Sequence, residues 1–175
     1  MFIKNFGKNK EGFFTFMAMI TIYTDGAATG NPGPGGYGVL LMYKQHKKEI
    51  SQGFRLTTNN RMELLAVIIG LETLKNLGEE VTIFSDSKYV VDSVEKKWVF
   101  GWEKINFKGK KNSDLWKRFL SIYRQHKVKF VWVKGHAENP FNNRVDELAT
   151  QAAAGHDLLV DEEYESAPDM GMFQQ

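Results

Sequence analysis

Five short segments of the chain carry β-branched and aromatic residues in close succession, which is typical of β-strands. In chain order they are ITIYTD (20–25), YGVLLMYK (37–44), EISQGFRL (49–56), VTIFSD (81–86) and KFVWVKG (129–135). The first three follow one another across turns rich in glycine or polar residues. Consecutive short strands joined in this way predict an antiparallel meander.

Apolar residues recur at helical spacing elsewhere in the chain. The segments predicted to be helices are 62–77, 88–98, 113–126 and 142–154, and Ser113 or Asp114 is placed to cap the third of them. Residues 96–111 have little periodic signal, and we expect a loop there. This order of elements predicts an α/β fold with a five-stranded mixed sheet, three antiparallel strands and then two parallel ones, flanked by helices.

A chain of 175 residues is the usual size of one domain. We expect the folded domain to span 19–155, with a leader at 1–18 and a disordered acidic tail at 156–175. The chain contains no cysteine, which excludes disulfides and thiolate metal sites. No apolar run approaches the roughly 18 residues that a membrane-spanning helix needs, so we expect a cytoplasmic protein without membrane contact.

Charge is unevenly distributed, although the net charge is only +2. Between Lys88 and Lys134 there are 13 lysines and arginines against 4 acidic residues, whereas 145–175 contains 8 acidic residues and neither lysine nor arginine. A basic block beside an acidic tail points to a nucleic-acid partner, and the alternative is a merely solvated surface.

Two predicted strands end in an aspartate, Asp25 and Asp86. Ligand sites in α/β sheets form beyond strand ends, so neighbouring strands would bring these carboxylates together, and the alternative is that each only starts a turn. Glu63 either completes a capping box with Asn60 or is free to point away from a helix that Thr58 caps. Asp146 and His136 would, taken alone, be surface residues.

Four stretches taken together are more specific: YTDGAATGNPGPGGYG, TTNNRMEL, FSDSKYV and VKGHAENPFNNRVDEL. In this order, from about Ile20 to Ala154, they resemble ribonuclease H of type I, the bacterial ribonuclease HI-like family. The resemblance implies the ribonuclease H-like fold and a hydrolase that cuts the RNA strand of RNA–DNA hybrids. It also implies products with 5′-phosphate and 3′-hydroxyl ends.

The same resemblance implies which residues form the site. The four expected catalytic and metal-binding carboxylates are Asp25, Glu63, Asp86 and Asp146, and the expected catalytic histidine is His136. Like charges about 4 Å apart repel by roughly 4 kcal/mol at an effective dielectric of 20, so cations or protons must neutralise them. All-oxygen ligands favour Mg²⁺, with Mn²⁺ as a substitute, and we expect two ions during catalysis with Asp25 bridging them.

Further positions are expected to bind the hybrid by the same resemblance. They are Asn31, Thr58, Asn59, Asn60, Lys88, Lys96, Lys97, Trp98, Trp102, Lys104, Lys108 and Asn142. The segment 96–111 corresponds to the basic protrusion of the family and is called the handle below. The alternative for the asparagines is that they only form turns or cap a helix. The alternative for the handle is that its tryptophans only pack in the core and its lysines are only solvated. We expect both to hold in part, with aromatic residues rooting the handle and lysines facing phosphates.

Other interpretations stay open at this point. The same architecture is shared by DNA-cutting resolvases and integrases, and a non-catalytic hybrid-binding module or a domain of a reverse transcriptase would carry similar motifs. A complete set of four acids favours an enzyme, and we expect a monomer whose partner is an RNA–DNA hybrid.

Overall fold

A computed structural model of the chain describes residues 7–8, 14–15, 19–134 and 139–166. Its main sheet has six strands, and a separate pair of short strands precedes it. The strands are β1 (Gly7–Lys8), β2 (Phe14–Thr15), β3 (Ile20–Ala28), β4 (Gly33–Tyr43), β5 (His46–Thr57), β6 (Glu80–Ser85), β7 (Lys127–Trp132) and β8 (Leu158–Leu159). Their order across the main sheet is β7-β6-β3-β4-β5-β8.

The pairing of the strands confirms the predicted mixed sheet. Strand β4 pairs antiparallel with both β3 and β5. On the other side of β3, β6 pairs with β3 in parallel, and β7 pairs with β6 in parallel. The main sheet has one more strand than expected, because β8 pairs with β5 in parallel at the far edge, and the short pair β1 and β2 was not expected either. This edge pairing involves only two residues of each strand, which is too short a segment to show an alternating pattern.

Among the described residues, six helices accompany the sheet. They are α1 (Asn59–Glu72), α2 (Lys88–Glu95), α3 (Trp98–Lys104), α4 (Ser113–Tyr123), α5 (Pro140–Ala153) and α6 (Glu162–Glu165). Helix α3 lies in the segment expected to be a loop, so that expectation is wrong. The expected capping of α4 is also wrong, because Asn112 occupies the N-cap position without a side-chain capping bond and Asp114 bonds to Arg61 instead.

Helices α1 and α5 cover opposite faces of the sheet. Ile22 of β3 lies against Gly70 of α1, whose close approach a Cβ would obstruct. The next residue, Tyr23, contacts Phe141 of α5 with ring centroids 5.3 Å apart. Because successive side chains of a strand point to opposite faces, β3 is enclosed between the two helices. The expected end of this strand at Asp25 is wrong, because β3 continues to Ala28 and Asp25 lies within its buried part.

The expectation of a loose tail from residue 156 is wrong for residues 156–166. Leu158 and Leu159 pair with Gly53 and Phe54 of β5. Asp161 is only 8% exposed, and its carboxylate accepts hydrogen bonds from Arg61 and Thr57. The remainder of the expected tail, 167–175, lies outside the described residues. Within the described part of the chain, no helix combines the length and the apolar character needed to cross a membrane.

Candidate active site

The carboxylates of Asp25 and Asp86 come from neighbouring strands. Strands β3 and β6 are parallel, and Thr24 is paired with Ser85, so the two aspartates that follow lie next to each other at one edge of the sheet. Asp25 is 9% exposed, and its Oδ1 accepts the backbone N–H of Gly26 at 2.8 Å. Trp132 at the end of β7 donates its Nε1–H to the main-chain oxygen of Asp86 at 3.1 Å.

Glu63 reaches this edge because helix α1 passes very close to β3. A Cβ on Gly26 would lie 2.2 Å from the backbone nitrogen of Glu63, so only glycine permits this approach. Thr58 caps α1 by accepting the N–H of Arg61, which leaves Glu63 free of any capping role. Of the two interpretations of Glu63, the capping box with Asn60 is therefore wrong.

Asp146 completes the group from helix α5. Asn139 caps this helix, with its Oδ1 accepting the N–H groups of Phe141 and Asn142 at 3.0 and 3.2 Å. Together the four acids line one cavity of about 340 Å³. Its lining residues are Asp25, Gly26, Ala27, Ala28, Asn59, Glu63, Asp86, Asn142, Asn143 and Asp146.

The electrostatics of the cavity are those of like charges in a confined space. Burial, followed by the repulsion from Asp86 and weaker repulsion from Asp146 and Glu63, raises the pKa of Asp25 to about 8. Burial also raises the pKa of Glu63, although hydrogen bonds from Ser87 and Asn59 act in the opposite direction. A positive charge placed among these groups would relieve both effects.

The donor set fits a hard divalent cation. All candidate ligands are oxygens, and the buried Oδ1 of Asn142 adds one that has no hydrogen-bond partner among the described residues. Mg²⁺ binds proteins through one or two carboxylates and keeps water or phosphate as its other ligands. Within the described ranges, however, no three acidic or histidine side chains lie close enough to hold one ion jointly, so a bound ion would have to draw these carboxylates together.

Several expected substrate-binding residues lie around this cavity without all lining it. Asn59 lines the cavity, and its backbone N–H donates to Oδ1 of Asn31 at 3.3 Å. Lys88 is exposed, with its ammonium group 5.3 Å from the centre of the Trp132 ring. Asn60 is exposed and Thr58 caps α1 at the same end. His136 lies outside the described residues.

The handle carries exposed lysines on an aromatic base. Trp102 packs edge-on against the buried Trp116 at 5.6 Å, with Lys110 over its ring, so it anchors the handle in the core. Trp98 does not anchor it, because it is 47% exposed and carries Lys96 5.0 Å from its ring centre. The remaining expected lysines of the handle, Lys97, Lys104 and Lys108, are exposed.

Three contributors to the site were missed by the sequence analysis. Asn143 lines the cavity, and the doublet with Asn142 was the available signal. Trp132 donates a hydrogen bond to the main-chain oxygen of Asp86. Its position near the end of the fifth predicted strand indicated the same edge of the sheet. Ser87 bonds to Glu63, but a serine before a helix is normally explained by capping alone, so the sequence held no signal for it.

The comparisons with known proteins agree with this geometry. The family model described as RNase H matches residues 17–154. A protein named Ribonuclease H from Desulforamulus reducens is 53% identical over 152 residues, which cover 84% of this chain and 95% of the relative. The chain therefore belongs to the ribonuclease H family.

Solved structures lead to the same family. One is LC9-RNase H1, described as a type 1 RNase H with the type 2 active-site motif, with a TM-score of 0.72, 32% identity and coverage of 85% of this chain and 79% of that one. Another is LC11-RNase H1 in complex with an RNA/DNA hybrid, with a TM-score of 0.61, 29% identity and coverage of 77% and 96%. These proteins and this chain share the mixed α/β fold, and the expected fold class is confirmed.

Proposed function

We propose that this protein is an endonuclease that hydrolyses the RNA strand of RNA–DNA hybrids. The observation that carries the proposal is the cavity that four acids from β3, α1, the end of β6 and α5 line together. A cluster of like charges that raises the pKa of Asp25 to about 8 has no structural benefit, and perturbed carboxyls of this kind mark functional sites. Membership of the ribonuclease H family and the similarity to a relative crystallised with an RNA/DNA hybrid support the choice of substrate.

The proposed cofactor is Mg²⁺, two ions during catalysis, with Mn²⁺ as a substitute. When bound, such a pair supplies Lewis-acid polarisation of the phosphate and a more acidic attacking water. Asp25, Glu63, Asp86 and Asp146 are the residues that would hold the ions. Asp25 is the one that we propose would be shared between them, because the charges of Asp86, Asp146 and Glu63 all raise its pKa.

The chain's own groups then have separate tasks. In the proposed reaction a water oxygen bonds to phosphorus, the bond from phosphorus to the 3′-oxygen breaks, and that oxygen leaves as a hydroxyl, so the other product carries the 5′-phosphate. Asn142 and Asn59 present amide groups at the cavity, where they can orient the RNA backbone. His136 is proposed, on the sequence alone, to assist proton transfer or product departure.

Recognition of the hybrid is proposed to combine two surfaces. The 2′-hydroxyl distinguishes RNA from DNA in the minor groove, and Asn31, Asn59 and Asn60 surround the cavity where it would lie. Thr58 and Lys88 are proposed to contact the backbone beside them. The handle, with Trp98 and the lysines at 96, 97, 104 and 108 exposed, is proposed to contact phosphates, while Trp102 supports it from the core.

A panel of labelled substrates tests the proposal. Hybrid, double-stranded RNA and double-stranded DNA are each incubated with and without Mg²⁺, and the ends of the products are mapped. Cleavage of the RNA strand of the hybrid alone, dependent on Mg²⁺, is the expected result. Glu80→Gln serves as the active control, because Glu80 lies at the start of β6, pairs with Lys127 and does not line the cavity.

Other outcomes of the panel contradict the proposal in identifiable ways. Cleavage of double-stranded DNA would favour a resolvase- or integrase-like nuclease. Tight binding of the hybrid without cleavage would favour a non-catalytic binding module. Either result would leave the fold and the family unchanged and remove the proposed activity.

The contribution of the handle is tested by ionic strength. Phosphate contacts release counterions, so raising the salt from about 50 to 200 mM should raise KM for the hybrid by roughly tenfold or more while kcat changes little. Replacing Lys96 and Lys97 together by methionine should flatten this dependence. A KM with the same salt dependence in both proteins would remove the handle from the binding surface.

We also propose that the protein acts as a monomer in the cytoplasm. The absence of cysteine is consistent with a reducing compartment and supports the second statement. Light scattering on a size-exclusion column measures the first, and a dimer mass would contradict it.

A further inference from the structure

Ser87 lies at the corner where strand β6 ends and helix α2 begins, directly after Asp86. The residue is only 4% exposed. Its backbone N–H donates to Oγ of Ser85 at 3.2 Å, which ties the corner to the last residue of the strand. The backbone of Ser87 is therefore held by its own strand, independently of the contacts that its side chain makes.

The hydroxyl of Ser87 makes two hydrogen bonds of opposite sense. It accepts the N–H of Val90 at 3.2 Å, which caps α2. It donates its only proton to Oε2 of Glu63 on α1. A hydroxyl has one donor and two acceptor positions, so both bonds form at once. Capping requires only the acceptor, and the donor is therefore left for a second task.

Glu63 is held from both sides by this arrangement. Its Oε1 accepts from Nδ2 of Asn59 at 2.8 Å, and its Oε2 accepts from Ser87. Asn59 belongs to the same helix as Glu63, whereas Ser87 belongs to the corner that carries Asp86. The Ser87 hydroxyl is consequently the link that fixes the carboxylate of Glu63 relative to Asp86.

We propose that Ser87 is a positioning residue of the active site, which orients the carboxylate of Glu63 by donating a hydrogen bond to it. The inference rests on the proposed function of the cavity. Partners that hold a ligating carboxylate through a hydrogen bond tune both metal affinity and rate. Ser87 does not line the cavity and does not touch the substrate in this role.

The competing explanation is that Ser87 only caps α2. Two variants separate the roles, because Ser87→Ala and Ser87→Gly both remove the donor, but glycine is a much better N-cap than alanine. Ser87→Thr keeps the hydroxyl and tests rescue. Ser93→Ala is the matched control, since Ser93 lies on the same helix, is 1% exposed and donates only to the carbonyl of Tyr89.

We expect kcat to fall in every variant that lacks the hydroxyl donor of Ser87, whether or not the variant also destabilises the helix. Ser87→Ala and Ser87→Gly should both lower kcat by roughly 10–100-fold, with KM for the hybrid unchanged. Ser87→Thr should restore most of kcat, and Ser93→Ala should keep all of it. If Ser87→Gly retained wild-type kcat while Ser87→Ala lost activity, capping would be the whole role of Ser87.

A measurement without substrate keeps the test independent of turnover. Titration calorimetry with Mg²⁺ alone should show Kd weakened by roughly 10–100-fold in Ser87→Ala and Ser87→Gly, but not in Ser93→Ala. In a Glu63→Ala background, Ser87→Ala should weaken Kd no further. Equal Kd values in wild type and Ser87→Ala would overturn the proposal. A wild-type protein that leaves the hybrid uncut would instead overturn the proposed function.

Discussion

In the described part of the chain, buried and half-buried carboxylates form two clusters that differ in the charges around them. Around Arg61, the guanidinium lies 2.7 Å from Asp114 and 2.7 Å from Asp161, and the ring of Tyr164 lies 5.5 Å from it. Around Asp25, the neighbouring charges are Asp86, Asp146 and Glu63, all of the same sign. Both clusters lie at the N-terminal part of α1, since Arg61 and Glu63 are two residues apart.

The pKa values of the two clusters shift in opposite senses. Burial disfavours the charge on Arg61, but the hydrogen bonds that it donates to Asp114 and Asp161 outweigh this effect and raise the pKa of Arg61 above its usual range. The same bonds lower the pKa of Asp114 against the effect of its burial. Burial and repulsion instead raise the pKa of Asp25 to about 8. The cluster around Arg61 therefore contributes to the stability of the fold. The cluster around Asp25 opposes folding, and its presence is explained by function.

The largest expected effect is on catalysis, from Asp25→Asn. We expect kcat on the hybrid to fall by roughly 10⁴-fold or more, which is about 5 kcal/mol of activation free energy, because the shared ligand is lost. The comparison variant is Asp114→Asn from the other cluster, which should keep wild-type kcat at a temperature where it is folded. Single-turnover cleavage in Mg²⁺ measures both. Near-normal cleavage by Asp25→Asn would refute its bridging role.

The next largest effect is on stability, from Arg61→Met. Removing the cation leaves Asp161 buried without it, and breaking a buried pair in this way costs about 3–5 kcal/mol. Urea unfolding at pH 7 measures the loss. Arg118→Met is the control, because its partner Glu72 and Arg118 itself are partly exposed, with 34% and 45% of their side chains accessible. Equal losses in both variants would show that burial does not determine the strength of these pairs.

The sequence was sufficient for the elements that carry a strong pattern. Strands β3 to β7 alternate or are continuously apolar, and the acid at the end of the first predicted strand pointed to the site, although β3 itself continues past Asp25 to Ala28. Helix α3 was missed because Val99 is its only buried residue, so no apolar stripe identifies it. Strand β8 was missed because two residues carry no period, and an acidic segment after the last helix is normally solvated.

Contacts between distant residues are what the sequence could not show. Arg61 and Asp161 are separated by 100 positions, and both residue types are usually exposed, so their burial together has no local signal. The four acids were expected only because their stretches together resemble one family, since none of them stood out individually. Their common cavity depends on Gly26, whose need to be glycine arises from the backbone of α1 and not from its own neighbours in the chain.

An intermediate effect is expected from Asp25→Asn on stability in metal-free buffer. The pKa of Asp25 is about 8 in the folded protein and about 4 in an unfolded chain. The folded state thus binds the proton more tightly, and wild-type stability falls as the pH rises from about 4 to about 8. Asparagine does not titrate, so the variant should be more stable than wild type by ~2–4 kcal/mol at pH 8 and show no such gain at pH 4.

Urea unfolding in EDTA at both pH values measures this difference. Added Mg²⁺ should stabilise the wild type at pH 8 and reduce the gap, because an ion that binds only the folded state shifts the equilibrium toward it. A gain in Asp25→Asn that is the same at pH 4 and pH 8 would contradict the role of ionisation.

The smallest effect on stability is expected from the second ion pair of the tail, between Arg55 and Glu165. This exposed pair tests whether burial is what makes an ion pair stabilising. Both tail acids bond to an arginine at 2.7 Å, Asp161 to Arg61 and Glu165 to Arg55. Asp161→Asn should lower stability by ~1–3 kcal/mol, because a buried hydrogen-bonded charge is lost. Glu165→Gln should leave the urea midpoint unchanged, because the side chain of Arg55 is exposed and an ion pair formed in water contributes little to stability. If Glu165→Gln destabilised the protein as much as Asp161→Asn, the docking of residues 156–166 would depend on both pairs, and the contrast between the clusters could not be attributed to burial.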